Sequence, residues 1–531
     1  MKHFFTLFIL TCSSLFIKAQ DLYLVKLKAK ENTSNYINDP VKMLSQRALD
    51  RRTKYAIALD DKDVPISATR INQIKNLDLN YIGQTKWLNT IMVEISDQTV
   101  IQALKNIAFV ESVTSMVRNS SSKIQTKSKN KWITLNSKTS DYTYSYSNDF
   151  IQQINLVPIH KQNILGQNVL IAVIDGGFTN TNTLTVFNSL RSENRILDTY
   201  DFVENKQFVY TGSSHGTMVL STMAGETNGS YVGTAPKANY SLYRSENDPV
   251  ETPKEMLYWI QAAERADSIG ADVINTSLGY SEFDDARYDY TYQDMDGKTT
   301  LIAQGAEIGA SRGIFLVNAA GNEGNVLWKM ISSPADAKNV FSVGANDLNK
   351  IAAEFTSYGP NSVGDLKPNV SALGKVIAVA NTSDNLVYSN GTSFASPVTA
   401  GAVALMIQQF PKTAHQLIKD KIQQSAHLYQ SPSTQLGYGI PDYYKASVDL
   451  LSTNDLENKL SIKIFPNPFH DIINVQSDKE IKRIELYNLV GQNVGVSVNK
   501  NSILTNHLSK GIYVIKVIDS QGNIFSEKVI K

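Results

Sequence analysis

The sequence is almost without cysteine: Cys12 is the only one in 531 residues. This scarcity excludes a disulfide framework, a cysteine-based zinc cluster and a cysteine nucleophile. Neither sign of charge dominates, since 51 Lys and Arg residues against 50 Asp and Glu residues give a net charge of +1. A balanced charge does not suggest a nucleic-acid groove or a polybasic membrane surface. We therefore expect no nucleic-acid partner.

Long hydrophobic runs are also missing. The apolar stretch 4–17 is shorter than the ~20 residues that cross a bilayer. It follows Lys2 and ends near Ala19, an order that predicts a secretory signal peptide at 1–19. The alternatives are a buried element of the mature fold and a lipoprotein site at Cys12, although the latter lacks the small residues that usually precede such a cysteine. No later segment predicts a membrane span.

The composition is that of a globular protein, with 42% hydrophobic, 19% charged and 9% aromatic residues. It excludes whole-chain disorder, a collagen-like sequence and a coiled coil. A chain of this length predicts roughly three or four domains.

The first predicted domain, 20–117, alternates strand-like and helix-like segments and reads as a small α+β unit. Its predicted elements are strands 22–27, 89–95 and 110–113 and helices 40–57 and 99–107. Residues 118–147 are rich in Ser, Lys, Asn and Thr, and they have too few apolar side chains to offset the entropy of ordering. They predict an exposed linker open to proteolysis.

The central domain, 148–452, alternates apolar strands with helices. Examples are strands 169–174 and 314–317 and helices 253–269 and 397–409. Continuous apolar strands of this kind predict a mostly parallel sheet covered on both faces by helices. A polar linker, 453–459, then precedes a tail, 460–531, whose short strands predict a small β-sandwich.

Three motifs in the central domain carry reactive side chains. Asp175 ends a buried strand, where the active sites of open α/β sheets lie, although it could equally cap a helix or bind a metal. His215 lies between a turn and a small-residue helix, and its pKa suits a general base, although a lone histidine is more often structural. Ser393 opens an apolar helix, where a serine is usually an N-cap.

Asn322 completes the set, because a side-chain amide on a glycine-hinged turn can donate to a developing oxyanion. Each residue alone has an ordinary structural explanation. Together they indicate a site for nucleophilic catalysis.

The order Asp175, His215, Ser393 and the surrounding motifs resemble the subtilisin-like serine peptidases. The matching motifs are strand-Asp-x-Gly, His-Gly-Thr, Ala-Gly-Asn and Gly-Thr-Ser-x-Ala-x-Pro. The resemblance implies a three-layer α/β fold, a catalytic triad, and an oxyanion hole made by Asn322 and the Ser393 N–H. Gly176 departs from the family pattern, which usually has Ser or Thr there.

The same resemblance implies two sets of substrate-binding residues. The strand that pairs with an extended substrate would be Ser277, Leu278 and Gly279, and a wall of the first specificity pocket would be Ala319, Ala320 and Gly321. Such small residues predict an open pocket that tolerates apolar side chains.

Residues 292–297 contain two acids and a turn glycine. They lack the full ligand pattern of a calcium loop, so a solvated turn is the better interpretation. We expect no metal site and no cofactor, with calcium left as an open alternative.

The flanking domains have resemblances of their own. By position and element order, 20–117 resembles the propeptide inhibitor domain that precedes many such peptidases, the alternative being a permanent accessory domain. The tail resembles the C-terminal sorting domain of the type IX secretion system of Bacteroidetes, through the motifs at 465–468, 486–492 and 508–517. The alternative is a carbohydrate- or protein-binding β-sandwich.

Taken together, these features predict a secreted or cell-surface serine endopeptidase that cuts its own linker between Arg118 and Ser147. Its expected partners are protein or peptide substrates, its own propeptide and the type IX machinery. The alternative is a catalytically silent surface-binding protein on a peptidase fold.

Overall fold

The structure is a computed structural model that describes residues 20–118, 133–134, 144–227, 229–460, 462–478, 480–488, 491–520 and 524–531. Residues 133–134, 452–460 and 524 are described by their backbone alone. The predicted signal peptide, 1–19, and most of the predicted linker, 118–147, lie outside the described residues. The chain divides into two compact units, 1–444 and 445–531.

The N-terminal domain is a four-stranded antiparallel sheet in the order β2-β3-β1-β4. Its elements are β1 Asp21–Leu27, α1 Thr33–Ile37, α2 Gln46–Lys54, α3 Ala68–Lys75, β2 Asn80–Thr85, β3 Thr90–Ile95, α4 Gln98–Lys105 and β4 Val110–Ser115. One face of the sheet packs its apolar side chains, including Val25, Ile91 and Val93, against α3 and α4.

The predicted helix 40–57 is wrong in extent. A 3₁₀ turn, Pro40–Lys42, precedes α2, and Ser45 starts the helix by accepting a hydrogen bond from the Ala48 N–H at 3.2 Å. The helix ends before Ala56, whose φ of 53° is incompatible with its continuation. The sequence also did not reveal α3 and β2.

The first part of the central domain contains β5 Ile133–Thr134, α5 Asn148–Gln153, α6 Val157–His160, β6 Leu170–Asp175, α7 Asn188–Ser192, β7 Ile196–Asp201, α8 His215–Ala224, β8 Glu226–Thr227, β9 Tyr231–Val232, β10 Asn239–Arg244, α9 Lys254–Ile269 and β11 Val273–Thr276. The second part contains α10 Leu301–Ser311, β12 Phe315–Ala319, β13 Phe341–Asn346, β14 Val370–Leu373, β15 Lys375–Ala380, β16 Leu386–Asn390, α11 Thr392–Gln409, α12 His415–Ser425 and α13 Tyr443–Leu460.

Seven of these strands form one parallel sheet in the order β14-β13-β12-β11-β6-β10-β7. Its interior strand β6 is buried at every position, as its apolar sequence predicts. The helix pairs α8–α11 and α9–α10 pack on this sheet. The predicted fold class, a three-layer α/β domain with a mostly parallel sheet, is confirmed.

The order of the strands reverses beside β6. The chain runs from β6 out to β7, returns through β10, and then crosses to build β11 to β14 on the other side. Open α/β sheets bind ligands at the carboxyl ends of the strands at such a switch point. The carboxyl ends of β6 and β11 are therefore where a site is expected.

The other face of the N-terminal sheet packs on α9 and α10. Leu22, Trp87 and Met92 share one buried cluster with Leu257 of α9 and Ile302 of α10. The N-terminal domain thus buries apolar surface directly against the central domain.

Helix α2 makes a second, charged contact, which we call the α2 anchor: Arg51 and Arg52 with Asp267 and Asp63. Arg52 contacts Asp267 and Asp63, each at 2.8 Å, and Arg51 pairs with Asp267. The four side chains are almost completely buried. Because Asp267 lies in the last turn of α9, the α2 anchor lies at the amino edge of the parallel sheet, before β11.

The C-terminal unit is a small antiparallel sandwich. Its strands are β17 Ile462–Phe465, β18 Ile472–Ser477, β19 Ile481–Asn488, β20 Asn493–Val498, β21 Ser502–Leu504, β22 Ile512–Asp519 and β23 Ile524–Ile530. They form the sheets β17-β18-β21 and β20-β19-β22-β23, which share a core that includes Ile473, Ile484 and Ile515. The predicted linker 453–459 lies within α13.

Within the described part of the chain, none of the helices has both the length and the hydropathy required to cross a membrane.

Candidate active site

The structure brings Asp175 and His215 into direct contact. Asp175 is the last residue of β6 and is 2% exposed, and His215 is the first residue of α8. The distance between Asp175 Oδ1 and His215 Nδ1 is 2.8 Å. Gly216 makes this approach possible, because a Cβ at that position would lie 2.4 Å from the Gly177 carbonyl oxygen.

The surroundings of His215 favour its protonated form. Burial lowers the pKa of His215, but the charge of Asp175, its hydrogen bond and the charge of Asp248 outweigh burial and raise the pKa above its usual value. Asp175 Oδ1 also accepts a hydrogen bond from the Gly176 N–H at 2.8 Å. The carboxylate is therefore placed to fix the ring and to stabilise an imidazolium.

The exposed Asp248 lies next to Gly176. A Cβ on Gly176 would lie 2.4 Å from Asp248 Oδ1, so a side chain at 176 would require this carboxylate to move. Asp175 Oδ2 has no hydrogen-bond partner among the described residues. The chain thus has a second acid near His215, which the sequence did not single out because Asp248 belongs to no recognisable motif.

Ser393 lies in the first turn of α11, directly after Gly391 and Thr392. Gly391 has φ 152° and ψ 147°, a region that is open almost only to glycine. In a helix the Ser393 carbonyl would accept from the N–H four residues on, but that residue is Pro397. The carbonyl instead accepts a hydrogen bond from Ser277 Oγ at 2.8 Å. This bond ties the start of α11 to the end of β11.

The Ser393 hydroxyl is not hydrogen-bonded to His215. Its Oγ donates to the Ser277 carbonyl at 3.2 Å. The next side chain, Phe394, lies against the histidine, with 5.7 Å between the ring centroids. Ser393 is therefore adjacent in the chain to a residue that contacts His215, while its hydroxyl is bound to Ser277, the residue that follows β11.

Asn322 is held by Thr392, which the sequence did not identify as a site residue. Asn322 Oδ1 accepts from the Thr392 N–H at 2.9 Å and from Thr392 Oγ at 3.0 Å, and Thr392 Oγ accepts from the Gly321 N–H at 3.3 Å. With its oxygen fixed in this way, the exposed amide has its NH₂ group free to donate elsewhere. Thr392 therefore positions Asn322. Its place in the Gly-Thr-Ser motif is the feature of the sequence that could have identified it.

The strand residues expected to bind substrate follow β11. Ser277 is buried, and its carbonyl accepts from Ser393. The Leu278 carbonyl accepts from the Asn318 side chain at 3.1 Å, and Gly279 is exposed. A Cβ on Gly279 would lie 2.2 Å from Ser332 Oγ, so a side chain there would require the Ser332 hydroxyl to move.

The residues expected to form the pocket wall directly precede Asn322. Ala319 and Ala320 are buried, and Gly321 is half-buried. Gly321 has φ 114°, and a Cβ there would lie 2.3 Å from Glu323 Oε2. Burial raises the pKa of Glu323, whose carboxylate accepts from Ser357 Oγ at 2.7 Å.

The acids of the turn 292–297 are used locally. Asp296 accepts from the N–H groups of Lys298 and Thr299, and Asp294 bonds Thr291 and pairs with Arg118. Absence of calcium binding stays a prediction.

Elsewhere in the described residues, the ligand atoms of Glu246, Glu251 and Glu255 lie within 4.8 Å of one another. Glu255 already accepts from the N–H groups of Asn247 and Thr252, each at 2.8 Å.

Comparison with known families assigns three regions of the chain. The subtilase family matches residues 166–439, the Bacteroidota propeptide domain of peptidase S8 matches 22–134, and the secretion system C-terminal sorting domain matches 463–531. The three matches follow the three predicted domains in order.

Individual proteins agree as well. The chain is 30% identical to subtilisin DY of Bacillus licheniformis over 270 residues, which are 50% of this chain and 87% of that protein. It is 30% identical to subtilisin E of Bacillus subtilis over 295 residues, 55% of this chain and 68% of that one. In fold it is similar to the epidermin leader peptide processing serine protease of Staphylococcus aureus, with a TM-score of 0.55, 18% identity, and coverage of 81% of this chain and 98% of that one.

These findings settle the class of the protein. It is a serine endopeptidase made as a zymogen with an N-terminal propeptide, and its sorting domain directs it to export, as a secreted or surface-attached protein. More than half of its length matches one family, in the part of the chain that holds the Asp175–His215 pair and Ser393, and the chain belongs to the subtilase family.

Proposed function

We propose that Ser393, His215 and Asp175 form the catalytic triad and cleave peptide bonds through an acyl-enzyme. The observation that carries this proposal is the 2.8 Å contact between Asp175 Oδ1 and His215 Nδ1. This contact leaves Nε2 of the ring, the nitrogen that a serine base requires, on the opposite side from the aspartate. Ser393 directly precedes Phe394, whose ring lies against the same imidazole.

Activation of the nucleophile requires one side-chain rotation. Ser393 Oγ leaves the Ser277 carbonyl and turns to His215 Nε2, a change between staggered rotamers that occurs readily in serine. His215 then takes the hydroxyl proton as Oγ attacks the scissile carbonyl carbon. Catalytic hydrogen bonds are often absent before substrate binds and form in the Michaelis complex.

The oxyanion that forms is bound by two donors. One is the Asn322 side-chain NH₂, which Thr392 orients by holding Oδ1. The other is the Ser393 N–H in the first turn of α11, where helix N–H groups are unpaired and the helix dipole is positive. His215 next gives its proton to the leaving amine, and water hydrolyses the acyl-enzyme by the same route in reverse.

The substrate would bind as an added strand at Ser277–Gly279, whose last residue is exposed. Ala319, Ala320 and Gly321 would form part of the pocket for the residue before the scissile bond. The first substrate is the enzyme's own linker, so the site would release its propeptide by self-cleavage, with no metal or cofactor.

The test compares two serine variants of the full chain. Ser393→Ala removes the nucleophile and should lower peptide hydrolysis by about 10⁶-fold and leave the chain uncut. Ser192→Ala removes an exposed hydroxyl on α7 and should change neither. Mass spectrometry of the purified chains and turnover of a casein substrate give the result. Equal self-cleavage in both variants would contradict the proposal, and a folded wild-type chain without turnover would favour the silent binding protein.

A further inference from the structure

An exposed carboxylate lies beside the proposed triad. Asp248 belongs to the loop that joins β10 to α9, which we call the β10–α9 loop. The loop starts where β10 pairs with the end of β6, and its first N–H, that of Ser245, donates to the Asp175 carbonyl at 3.0 Å. The Asp248 carboxylate in turn lies against Gly176, the residue that follows Asp175. Its charge is one of those that raise the pKa of His215, so the loop brings a negative charge to the histidine side of the site.

The Asp248 carboxylate is available to a ligand. The residue is exposed, and among the described residues none donates a hydrogen bond to its carboxylate or forms an ion pair with it. The neighbouring acids differ, because Glu246 accepts from the Tyr280 hydroxyl and Glu255 accepts from the Asn247 N–H at 2.8 Å. A cation from the solvent can therefore pair with Asp248 without displacing another partner.

The β10–α9 loop is fixed on both sides of Asp248. Before it, Glu246 is bound to Tyr280, the residue that follows the proposed substrate strand. After it, the Glu251 N–H donates to Asp284 Oδ2 at 2.9 Å. A loop that is already fixed loses less conformational entropy when a ligand binds. The bond to Tyr280 also places the loop alongside the substrate strand.

The order of the parallel strands puts Asp248 and the proposed specificity pocket on opposite sides of the substrate. In the order β12-β11-β6-β10, Ala319 ends β12 on one side of β11, whereas Asp175 and the β10–α9 loop lie on the other. A peptide bound at Ser277–Gly279, directly after β11, runs between them. Successive side chains of an extended peptide point to opposite sides. When the residue before the scissile bond enters the pocket, the second residue before that bond therefore points toward His215 and Asp248.

We propose that Asp248 is a specificity-determining residue, which pairs with a lysine or arginine at the second residue before the scissile bond. This proposal rests on the proposed peptidase function and adds a substrate class to it. The ammonium or guanidinium group donates a charge-assisted hydrogen bond to the carboxylate, which is stronger than a bond between neutral groups. A glutamate at the same place is repelled by Asp248. The enzyme therefore selects basic over acidic residues at this position.

The predicted linker has the matching charge. The sequence of residues 118–147 contains six basic residues and one acid, Asp141. This segment is the substrate that the enzyme is proposed to cut first, so the chain's own substrate is basic and the site has an unpaired acid. Charge complementarity of this kind favours a site for basic residues.

The test uses the enzyme produced from the full chain and three quenched fluorescent peptides. The peptides share one sequence, with Leu directly before the bond to be cut and Lys, Ala or Glu before that Leu. Mass spectrometry of the products identifies the bond that is cut, and kcat/KM is measured for that bond alone. Rates are taken on the high-pH plateau of each variant, so that the effect of Asp248 on the pKa of His215 does not enter.

Three variants are compared with the wild type. Asp248→Asn removes the charge, and Asp248→Lys reverses it. The control, Asp384→Asn, changes an exposed acid in the turn between β15 and β16. Each variant is compared with itself across the three peptides, so a loss of folded enzyme does not alter the ratio of its rates.

The wild type should cut the Lys peptide about tenfold faster than the Glu peptide, which corresponds to ~1.4 kcal/mol. Asp248→Asn should reduce this ratio to less than about twofold, Asp248→Lys should invert it, and Asp384→Asn should leave it unchanged. A wild-type ratio near one, or a ratio that Asp248→Asn does not change, would overturn the proposal.

The same measurements separate this proposal from the proposed function. Equal cleavage of the three peptides, lost in Ser393→Ala, leaves the peptidase function intact and removes the role of Asp248. A wild type that cuts none of the peptides overturns the proposal. If that wild type also leaves its own linker uncut, the proposed function fails as well.

Discussion

The two edges of the parallel sheet differ in how they use polar groups. The carboxyl edge holds Asp175, His215 and Ser393, and the ring of His215 is half-exposed. The amino edge holds the α2 anchor, in which Arg51, Arg52, Asp267 and Asp63 form ion pairs and are almost fully buried.

Two histidines show the same contrast. At the carboxyl edge, the pKa of His215 is raised, against the effect of burial, by Asp175 and Asp248. At the amino edge, burial, with the charges of Lys419, Lys54 and Arg51, lowers the pKa of His415 to about 3, and the neutral ring bonds the Tyr55 hydroxyl at 3.0 Å. At the carboxyl edge His215 can take up and release a proton. At the amino edge His415 stays neutral, and this edge binds the propeptide.

This difference separates catalysis from propeptide binding. The reactive side chains lie at the carboxyl edge, whereas helix α2 of the propeptide binds the amino edge, where no reactive group lies. Substitutions at the two edges should therefore affect different measurements, turnover on one side and stability of the zymogen on the other.

The largest effect is expected for Asp175→Asn. An amide at this position favours the wrong tautomer of His215 and cannot stabilise the imidazolium, so kcat should fall by about 10⁴-fold. Steady-state kinetics on a peptide substrate measure the fall in kcat. The free energy of unfolding in urea should be unchanged, because the α2 anchor is intact. A loss of less than tenfold would show that Asp175 does not support His215.

The next effect should appear at the other edge, in Arg52→Ala. Removing one partner of a buried ion pair leaves Asp267 and Asp63 short of a counter-charge and should destabilise the zymogen by about 3–5 kcal/mol. Urea unfolding of the Ser393→Ala chain measures this loss without self-cleavage. Lys42→Ala, which breaks an exposed pair with Asp39, should cost less than about 1 kcal/mol. If the two variants lose the same free energy of unfolding, the buried α2 anchor stabilises the zymogen no more than an exposed ion pair does.

A smaller effect on catalysis is expected for Asn322→Ala. Loss of one oxyanion donor should lower kcat by about 10²–10³-fold and leave KM nearly unchanged. Asn325→Ala, an exposed neighbour in the same loop, serves as the control. A change in KM alone would mean that Asn322 binds the substrate and does not stabilise the oxyanion.

The smallest predicted effect concerns pH. His215 must be neutral to act as a base, and its pKa is raised. The midpoint of the rise of kcat/KM with pH should therefore lie above pH 6.5. Asp248→Asn removes one of the charges that raise this pKa, so the midpoint should move to lower pH and activity near pH 6 should increase. Asp384→Asn, an exposed acid that does not shift His215, should leave the profile in place. If kcat/KM of Asp248→Asn rises only at higher pH than in the wild type, Asp248 does not raise the pKa of His215.

The contrast between the edges is also a contrast in what the sequence could reveal. Asp175, His215, Asn322 and Ser393 lie in short local motifs. These motifs and their order along the chain were enough to indicate a serine peptidase site. The parallel sheet was predictable because strands such as β6 are continuously apolar.

The α2 anchor could not be found in this way. Arg52 and Asp267 are 215 residues apart, and either alone reads as an ordinary surface charge. Likewise, Asp248 and the orientation of the Ser393 hydroxyl toward Ser277 depend on which loops meet in space. The helix 40–57 was predicted too long because its charge pattern continues through the cap at Ser45.

The most direct test of the central claim is covalent labelling of the mature enzyme with a fluorophosphonate probe, with the modified residue identified by mass spectrometry. The account predicts a single adduct on the peptide containing Ser393, lost in Ser393→Ala and strongly slowed in Asp175→Asn. An adduct on a different serine, or undiminished labelling of the Ser393→Ala chain, would contradict it.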